Sequence, residues 1–334
     1  MNAATRTIDP AMIEAALAAV DRAAVATTAA QGRLAAGDTL TKDDESPVTV
    51  ADFAAQAIVC RTLADHLGDV AVVGEEHPDD LADRPALTEG IADLASVGLG
   101  LDSMTSADVV EAVSLGTASA AAGGTYWTLD PIDGTKGFLR NAHYAIALAL
   151  IEDGEVVLGV LGCPNMTSAT GATGVVFLGV DGNATEFALG AATSGAVPVP
   201  VRVDDPASLA DARFCESVES GHSDQDQSVQ IAQRLGIDTE PFRIDSQCKY
   251  GAVARGDASI YLRLPTRADY VEKIWDHAAG KFVVECAGGV VADVRGDALD
   301  FGHGDRLRTN AGVIATSGRF HDDVVAAVGD VLGV

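Results

Sequence analysis

Lysine is scarce in this chain: five residues of 334, beside 17 arginines, while aspartate and glutamate together number 49. The formal net charge is −27 and the pI about 4.3. A surface so poor in positive charge repels phosphate backbones, which excludes a nucleic-acid polyanion as partner. Long apolar runs are also missing. Stretches such as Ala145 to Ile151 reach about a third of the roughly 20 residues that a bilayer crossing needs, so no membrane span is expected. The opening MNAATRTIDPAMIEAALAAV has neither the basic region nor the long apolar run of a secretory signal, and Asp9 and Glu14 argue against a transit peptide. Five cysteines, an odd number without close spacing, predict reduced thiols and a cytoplasmic location.

What is present is the material of a packed core. Hydrophobic residues make up 48% and charged ones 21%, with a mean hydropathy of +0.18, far from the polar signature of disorder. The length exceeds the size at which one core usually keeps growing, so two domains or one large layered unit are expected. The acidic, Lys-poor, Ala-rich composition fits a salt-tolerant surface and a GC-rich genome equally well.

Apolar residues Met12, Ile13, Leu17, Val20 and Val25 recur at helical spacing after Asp9-Pro10, predicting a helix over residues 9 to 37. A second is expected over 49 to 67, with Asp52 in its first turn. A short strand at 70 to 73 runs into Gly74-Glu75-Glu76, and residues 79 to 121 read as mostly helical. From Tyr126 the texture changes to strands: YWTLD, a turn at Pro131 to Thr135, YAIALALI, an Asp153-Gly154 hairpin turn, and EVVLGVLGCP. A further hairpin is expected within 165 to 196. Pro198 and Pro200 mark a boundary that divides the chain into 1–196 and 197–334. Beyond it, short strands alternate with helices at 223–235, 247–255, 276–287 and 319–332, the pattern of an α/β unit.

Four acidic motifs stand out. Asp130-Pro131-Ile132-Asp133-Gly134-Thr135 holds two carboxylates three residues apart around a rigid proline, hard oxygen donors of the kind that suits Mg²⁺. Glu75 and Glu76 follow a strand. Asp276, in Trp275-Asp276-His277, reads as a helix cap or first-turn residue, and Asp52 as a first-turn carboxylate. Taken singly, each has an ordinary explanation as a polar turn, a solvated strand end or a cap.

Taken together they resemble one pattern, that of the lithium-sensitive, Mg²⁺-dependent phosphatases of the inositol monophosphatase and fructose bisphosphatase superfamily. The segments that carry it are SPVTVADFAAQAIV (46–59), VVGEE (72–76), WTLDPIDGTKGFLR (127–140), LGCPN (161–165), DSQCKYGAVARGDASIYLRLP (245–265) and EKIWDHAAGKFVVECAGGVVAD (272–293). DSQ-x-KY and YLRLP, both within 245–265, look most like the 3′(2′),5′-bisphosphate nucleotidase branch. The resemblance implies a layered α/β/α/β/α sandwich with the site between its two parts, the first carrying most metal ligands and the second the nucleotide contacts. It implies ligation of two or three Mg²⁺ ions by Glu75, Asp130, Asp133, Asp276 and the backbone carbonyl of Ile132, with Asp52 and Thr135 deprotonating a metal-activated water that attacks phosphorus in line. It also implies substrate contacts from Thr135, His222, Ser246, Lys249, Arg263 and Asp276. Asn141 and His143 stand where relatives more often have a Gly-Glu or Gly-Asp type loop, so rim contacts differ.

Local charge supports an anionic small-molecule substrate independently. Residues 246 to 281 contain six basic and four acidic residues, whereas residues 1 to 120 contain six basic and 20 acidic ones. Lys249 and Arg263 suit a second phosphate, which a sugar monophosphate would not require. The leading expectation is hydrolysis of 3′-phosphoadenosine 5′-phosphate to AMP and phosphate, with the corresponding phosphosulfate as a second substrate. An inositol phosphate phosphatase and a catalytically silent nucleotide or metal sensor are the alternatives, the latter opposed by retention of both Asp52 and Thr135.

Overall fold

Asp9 opens the chain's first helix by accepting the Ala11 N–H at 2.9 Å, with Pro10 in the first turn, where its missing N–H costs nothing. The computed structural model describes residues 7–36, 47–120, 123–218, 225–265, 267 and 270–334. Helix α1 (Pro10–Ala35) packs along α2 (Pro47–Leu67), and both are rich in fully buried alanines, Ala15, Ala16, Ala19 and Ala23 in one and Ala51, Ala54 and Ala55 in the other. Side chains this small let two helices lie close. Helices α3 (Pro85–Leu99) and α4 (Ser106–Ser114) complete the outer layer; a capping box between Thr105 and Asp108 starts α4.

Under this layer lies a seven-stranded sheet of β1 (Val72–Gly74), β2 (Thr125–Asp133), β3 (Ala145–Glu152), β4 (Glu155–Thr167), β5 (Thr173–Val180), β6 (Asn183–Ala188) and β7 (Val199–Pro200), in sequence order. Only β1 and β2 run parallel. The hairpins turn at Asp153-Gly154 and Asp181-Gly182, where both residues of each pair have φ between 51° and 82°, as two-residue primed turns need. The alternation in AIALALI now has a cause. Ile146, Leu148 and Leu150 face α1 to α4, while Ala145, Ala147 and Ala149 face the middle helical layer. That layer is α7 (Cys248–Arg255) and α8 (Ala278–Cys286).

A second sheet, of β8 (Phe214–Glu216), β9 (Phe242–Arg243), β10 (Ile260–Arg263), β11 (Val290–Ala292) and β12 (Val313–Thr316), follows in the order β11-β12-β10-β8-β9. Its inner face, with Tyr261, Val313 and Ala315, joins the core around α7 and α8. Phe214, Leu262 and Ile314 on its outer face pack against α6 (Gln225–Leu235) and α9 (His321–Leu332) through Ile231, Val324 and Val328. The result is the expected α/β/α/β/α sandwich. No helix of the described residues is long and apolar enough to cross a membrane.

Three local expectations are corrected. The strand β2 does not stop before Pro131: it continues to Asp133 through a register slip between Asp130 and Asp133, a bulge in which a proline forfeits no ladder bond. Asp276 is not in a helix, because α8 starts at Ala278, and the acid stands in the preceding turn. Since α2 begins at Pro47, Asp52 falls in its second turn. The first sheet also extends to Pro200, so its edge strand lies just past residue 196.

Candidate active site

Strand register brings the first acids together. Gly74 pairs with Leu129 in the parallel ladder of β1 and β2, so the next residues, Glu75 and Asp130, emerge side by side. The Glu75-Glu76 loop is tied down by Gln56, fully buried on α2: its Nε2 donates to the Glu76 carbonyl at 2.6 Å, and its Oε1 accepts the Glu76 N–H at 2.9 Å. Asp52 lies one turn earlier on the same helix and therefore faces the same loop. Asp133 ends β2 beyond the bulge, and Ile132 falls inside it, outside the regular β2–β3 pairing. Asp276 arrives from the turn before α8.

These carboxylates press on one another. Burial first, then the charges of Glu75, Asp133, Asp276 and Asp52, push Asp130 well above the usual carboxylate range. Glu75 is exposed, yet the protein around it strips away enough water to push it up to about 7, with Asp276 and Asp133 adding repulsion. Asp276 rises to about 6, chiefly by burial, against the pull of His277 and Arg263. Asp52 is raised by burial and by Glu76 and Glu75. Oδ1 of Asp130 is buried without a hydrogen-bond partner. An orphaned oxygen among crowded hard donors fits a divalent cation such as Mg²⁺.

Glu272, Asp276 and His277 also place ligand atoms within 4.8 Å of one another, a set that could hold a cation. Of the three, Asp276 is the one that faces the other acids. Glu272 and His277 are taken up by Arg263 and Tyr250.

A cleft of about 310 Å³ adjoins the acids, and Asp133, Thr135, Ser246, Lys249, Arg263 and Asp276 all line it. Thr135 opens α5 (Thr135–Leu139), directly after Gly134. At Gly134 φ is +93°, and a Cβ there would sit 2.7 Å from that of Ser246, so only glycine permits this approach. Ser246 itself has φ +65°, a strained value for serine, of the kind that concentrates at functional sites. Lys249 is only 7% exposed, its ammonium 5.2 Å from the Tyr261 ring centroid. Arg263 ends β10. His222 lies outside the described residues.

Several residues that complete the site carry no motif of their own. Gln247 donates its backbone N–H to Asp133 Oδ2 and its Nε2 to the Trp275 carbonyl at 2.9 Å, joining the end of β2 to the turn that carries Asp276. Lys136 and Arg140 also line the cleft, and Arg140 Nη2 meets the buried Asp245 at 2.8 Å. Their signal in the sequence is position alone, within segments already singled out for their neighbours.

Similarity to known proteins agrees with this geometry. The profile of the inositol monophosphatase family matches residues 9–332. A 3′(2′),5′-bisphosphate nucleotidase of Schizosaccharomyces pombe is 42% identical over 333 residues, covering 95% of this chain and 94% of the relative. Another, of Oryza sativa, is 39% identical and covers 96% and 94%. Among solved structures, Mycobacterium tuberculosis SuhB aligns over 97% of this chain and 99% of its own, with a TM-score of 0.59 at 19% identity. CysQ from Bacteroides thetaiotaomicron covers 92% and 96%, with a TM-score of 0.58 at 19% identity. The structural likenesses speak to the fold. The chain belongs to the inositol monophosphatase family, a family of metal-dependent phosphatases.

Proposed function

We propose that this chain is a Mg²⁺-dependent 3′(2′),5′-bisphosphate nucleotidase that removes the 3′-phosphate of 3′-phosphoadenosine 5′-phosphate, releasing AMP and phosphate, with the corresponding phosphosulfate as a second substrate. The observation that carries this reading is a buried lysine and an anchored arginine, Lys249 and Arg263, in the same cleft as the acidic cluster. A protein of net charge −27 that desolvates a lysine beside its active site has a use for a second anion. The names of the relatives, 3′(2′),5′-bisphosphate nucleotidases, support the same substrate.

Glu75, Asp130, Asp133 and Asp276, with the Ile132 carbonyl, would hold two or three Mg²⁺ ions. Bound Mg²⁺ supplies positive charge to the phosphoryl oxygens and lowers the pKa of water. Thr135 and Asp52 orient the attacking water opposite the leaving 3′-oxygen, and Asp52 accepts its proton, a role that its raised proton affinity suits. Thr135, Ser246 and Asp276 lie against the reacting end of the nucleotide, while Lys249 and Arg263 receive the second phosphate and His222 contacts the adenosine. Residues 1–196 thus bring most of the metal ligands and 197–334 the nucleotide contacts. The five buried free cysteines suit a reducing, cytoplasmic compartment.

The test is phosphate release from 3′-phosphoadenosine 5′-phosphate with and without Mg²⁺, alongside inositol 1-phosphate. Mg²⁺-dependent release is expected, with kcat/KM at least about tenfold above that for the inositol ester, equivalent to about 1.4 kcal/mol of transition-state discrimination. Preference for the inositol ester would overturn the substrate assignment, and nucleotide binding without turnover would make the protein a sensor.

A further inference from the structure

Arg263 is held from behind. Its Nε donates to both Oε1 and Oε2 of Glu272 at 3.0 Å, and Glu272, 5% exposed, is in turn 3.2 Å from Nε2 of His277. His277 and Tyr250 are buried, and Nδ1 of His277 lies 2.8 Å from the Tyr250 hydroxyl. Glu272, ion-paired with Arg263, can only accept, so Nε2 of His277 carries the proton that points at it, and Nδ1 of the neutral ring accepts the Tyr250 O–H. Every donor along this line meets an acceptor.

The relay joins three elements that meet at the cleft: α7, where Tyr250 follows Lys249; β10, which ends in Arg263; and the turn in which Glu272 and His277 flank Asp276. Burying so many polar groups costs desolvation, and packing alone would be met as well by apolar residues. What the relay delivers is direction. It fixes the guanidinium plane before any ligand arrives, with Nη2 left 3.9 Å from Asp276 Oδ2 in a long ion pair.

We propose that Glu272 is a positioning residue that sets the preference for a 3′,5′-bisphosphate over a 3′-monophosphate, by holding Arg263 where the second phosphate binds, with His277 and Tyr250 as its backing. This rests on the reading of Arg263 as a contact to that phosphate. Contacts to a non-reacting phosphate that are equal in the ground state and the transition state add uniform binding. Their loss appears in KM rather than kcat.

The experiment measures kcat and KM at saturating Mg²⁺ for 3′-phosphoadenosine 5′-phosphate and for adenosine 3′-monophosphate in the wild type, Glu272→Gln, Glu272→Asp and Arg263→Ala. Glu272→Gln is expected to raise KM for the bisphosphate about tenfold, with kcat within about twofold and KM for the monophosphate little moved. Glu272→Asp, which keeps the charge, should recover part of the loss. Equal losses on both substrates would reduce Glu272 to a structural role and overturn the proposal. So would an unchanged preference in both Glu272 variants when Arg263→Ala abolishes it. If Arg263→Ala itself leaves the preference intact, the reading of the second-phosphate site fails, and the positioning role with it.

Discussion

On the first-sheet wall of the cleft, Glu75 and Asp130 are acids beside acids, and the Asp130 oxygen that no donor reaches is the extreme case. On the second-sheet wall, Arg263, Glu272, His277 and Tyr250 form a closed line of partners; burial pushes Glu272 up, but His277 and Arg263 outweigh it and hold it down at about 2. Both walls bury charge, but only the second neutralises it from within the chain. The first is left short of positive charge, which a diffusible cation can supply and remove; the second is a fixed surface for a fixed anion. Asp133 stands at the seam, raised by burial yet held back by Lys249, the Gln247 N–H and Arg263.

The largest effect should come from neutralising the unpaired wall. Asp130→Asn is expected to lower kcat/KM by about 10³-fold or more, since a bound cation contributes several kcal/mol of charge stabilisation. In Mg²⁺-free buffer the same variant should melt a few degrees above the wild type, because a repelled buried charge has been removed. An inactive variant that melts lower would break the contrast between the walls. Asp52→Asn should lose about 10²- to 10⁴-fold in kcat, the range for a proton acceptor, while titration calorimetry finds Mg²⁺ binding retained. On the paired wall, Lys249→Ala should raise KM for the bisphosphate roughly 10- to 100-fold, the worth of a charged hydrogen bond at about 1.5–3 kcal/mol. Steady-state rates on inositol 1-phosphate should move far less.

The unpaired wall is also the more legible in sequence. Its carboxylates sit at strand ends within short motifs, and the parallel register of β1 on β2 converts two linear motifs into one cluster. The five layers are equally readable, down to the large and small residues of AIALALI that face different helical layers. The paired wall hides because its partners are far apart or lack a pattern. Gln247 meets Asp133 across 114 residues, and a buried Lys249 has the local spacing of a solvated helix residue. Asp276 looks like a helix cap because helix propensity extends to it, but the chain turns there to bring its carboxylate to the cleft. Local preference gave way where the site needed a side chain aimed elsewhere.

The smallest effect distinguishes the walls without mutation. Free of metal, Glu75 takes its proton near pH 7 and Asp276 near pH 6, whereas in the unfolded chain their ordinary values are 4.5 and 3.8. Between roughly pH 4 and 7 the folded state therefore binds more protons than the unfolded one, and stability falls as pH rises through that window. Above it both states are ionised and the repulsion is felt in full. Glu272 runs the other way: its depressed value makes its contribution present above about pH 4.5 and lost as pH falls toward 2, outside the window. Mg²⁺ needs the cluster ionised, so its stabilising effect must grow with pH. In thermal melts at saturating Mg²⁺, the upward shift should be a few degrees larger at pH 7.5 than at pH 5, through linkage of metal and proton binding at one set of carboxylates. A shift independent of pH would place the bound cation away from Glu75 and Asp276.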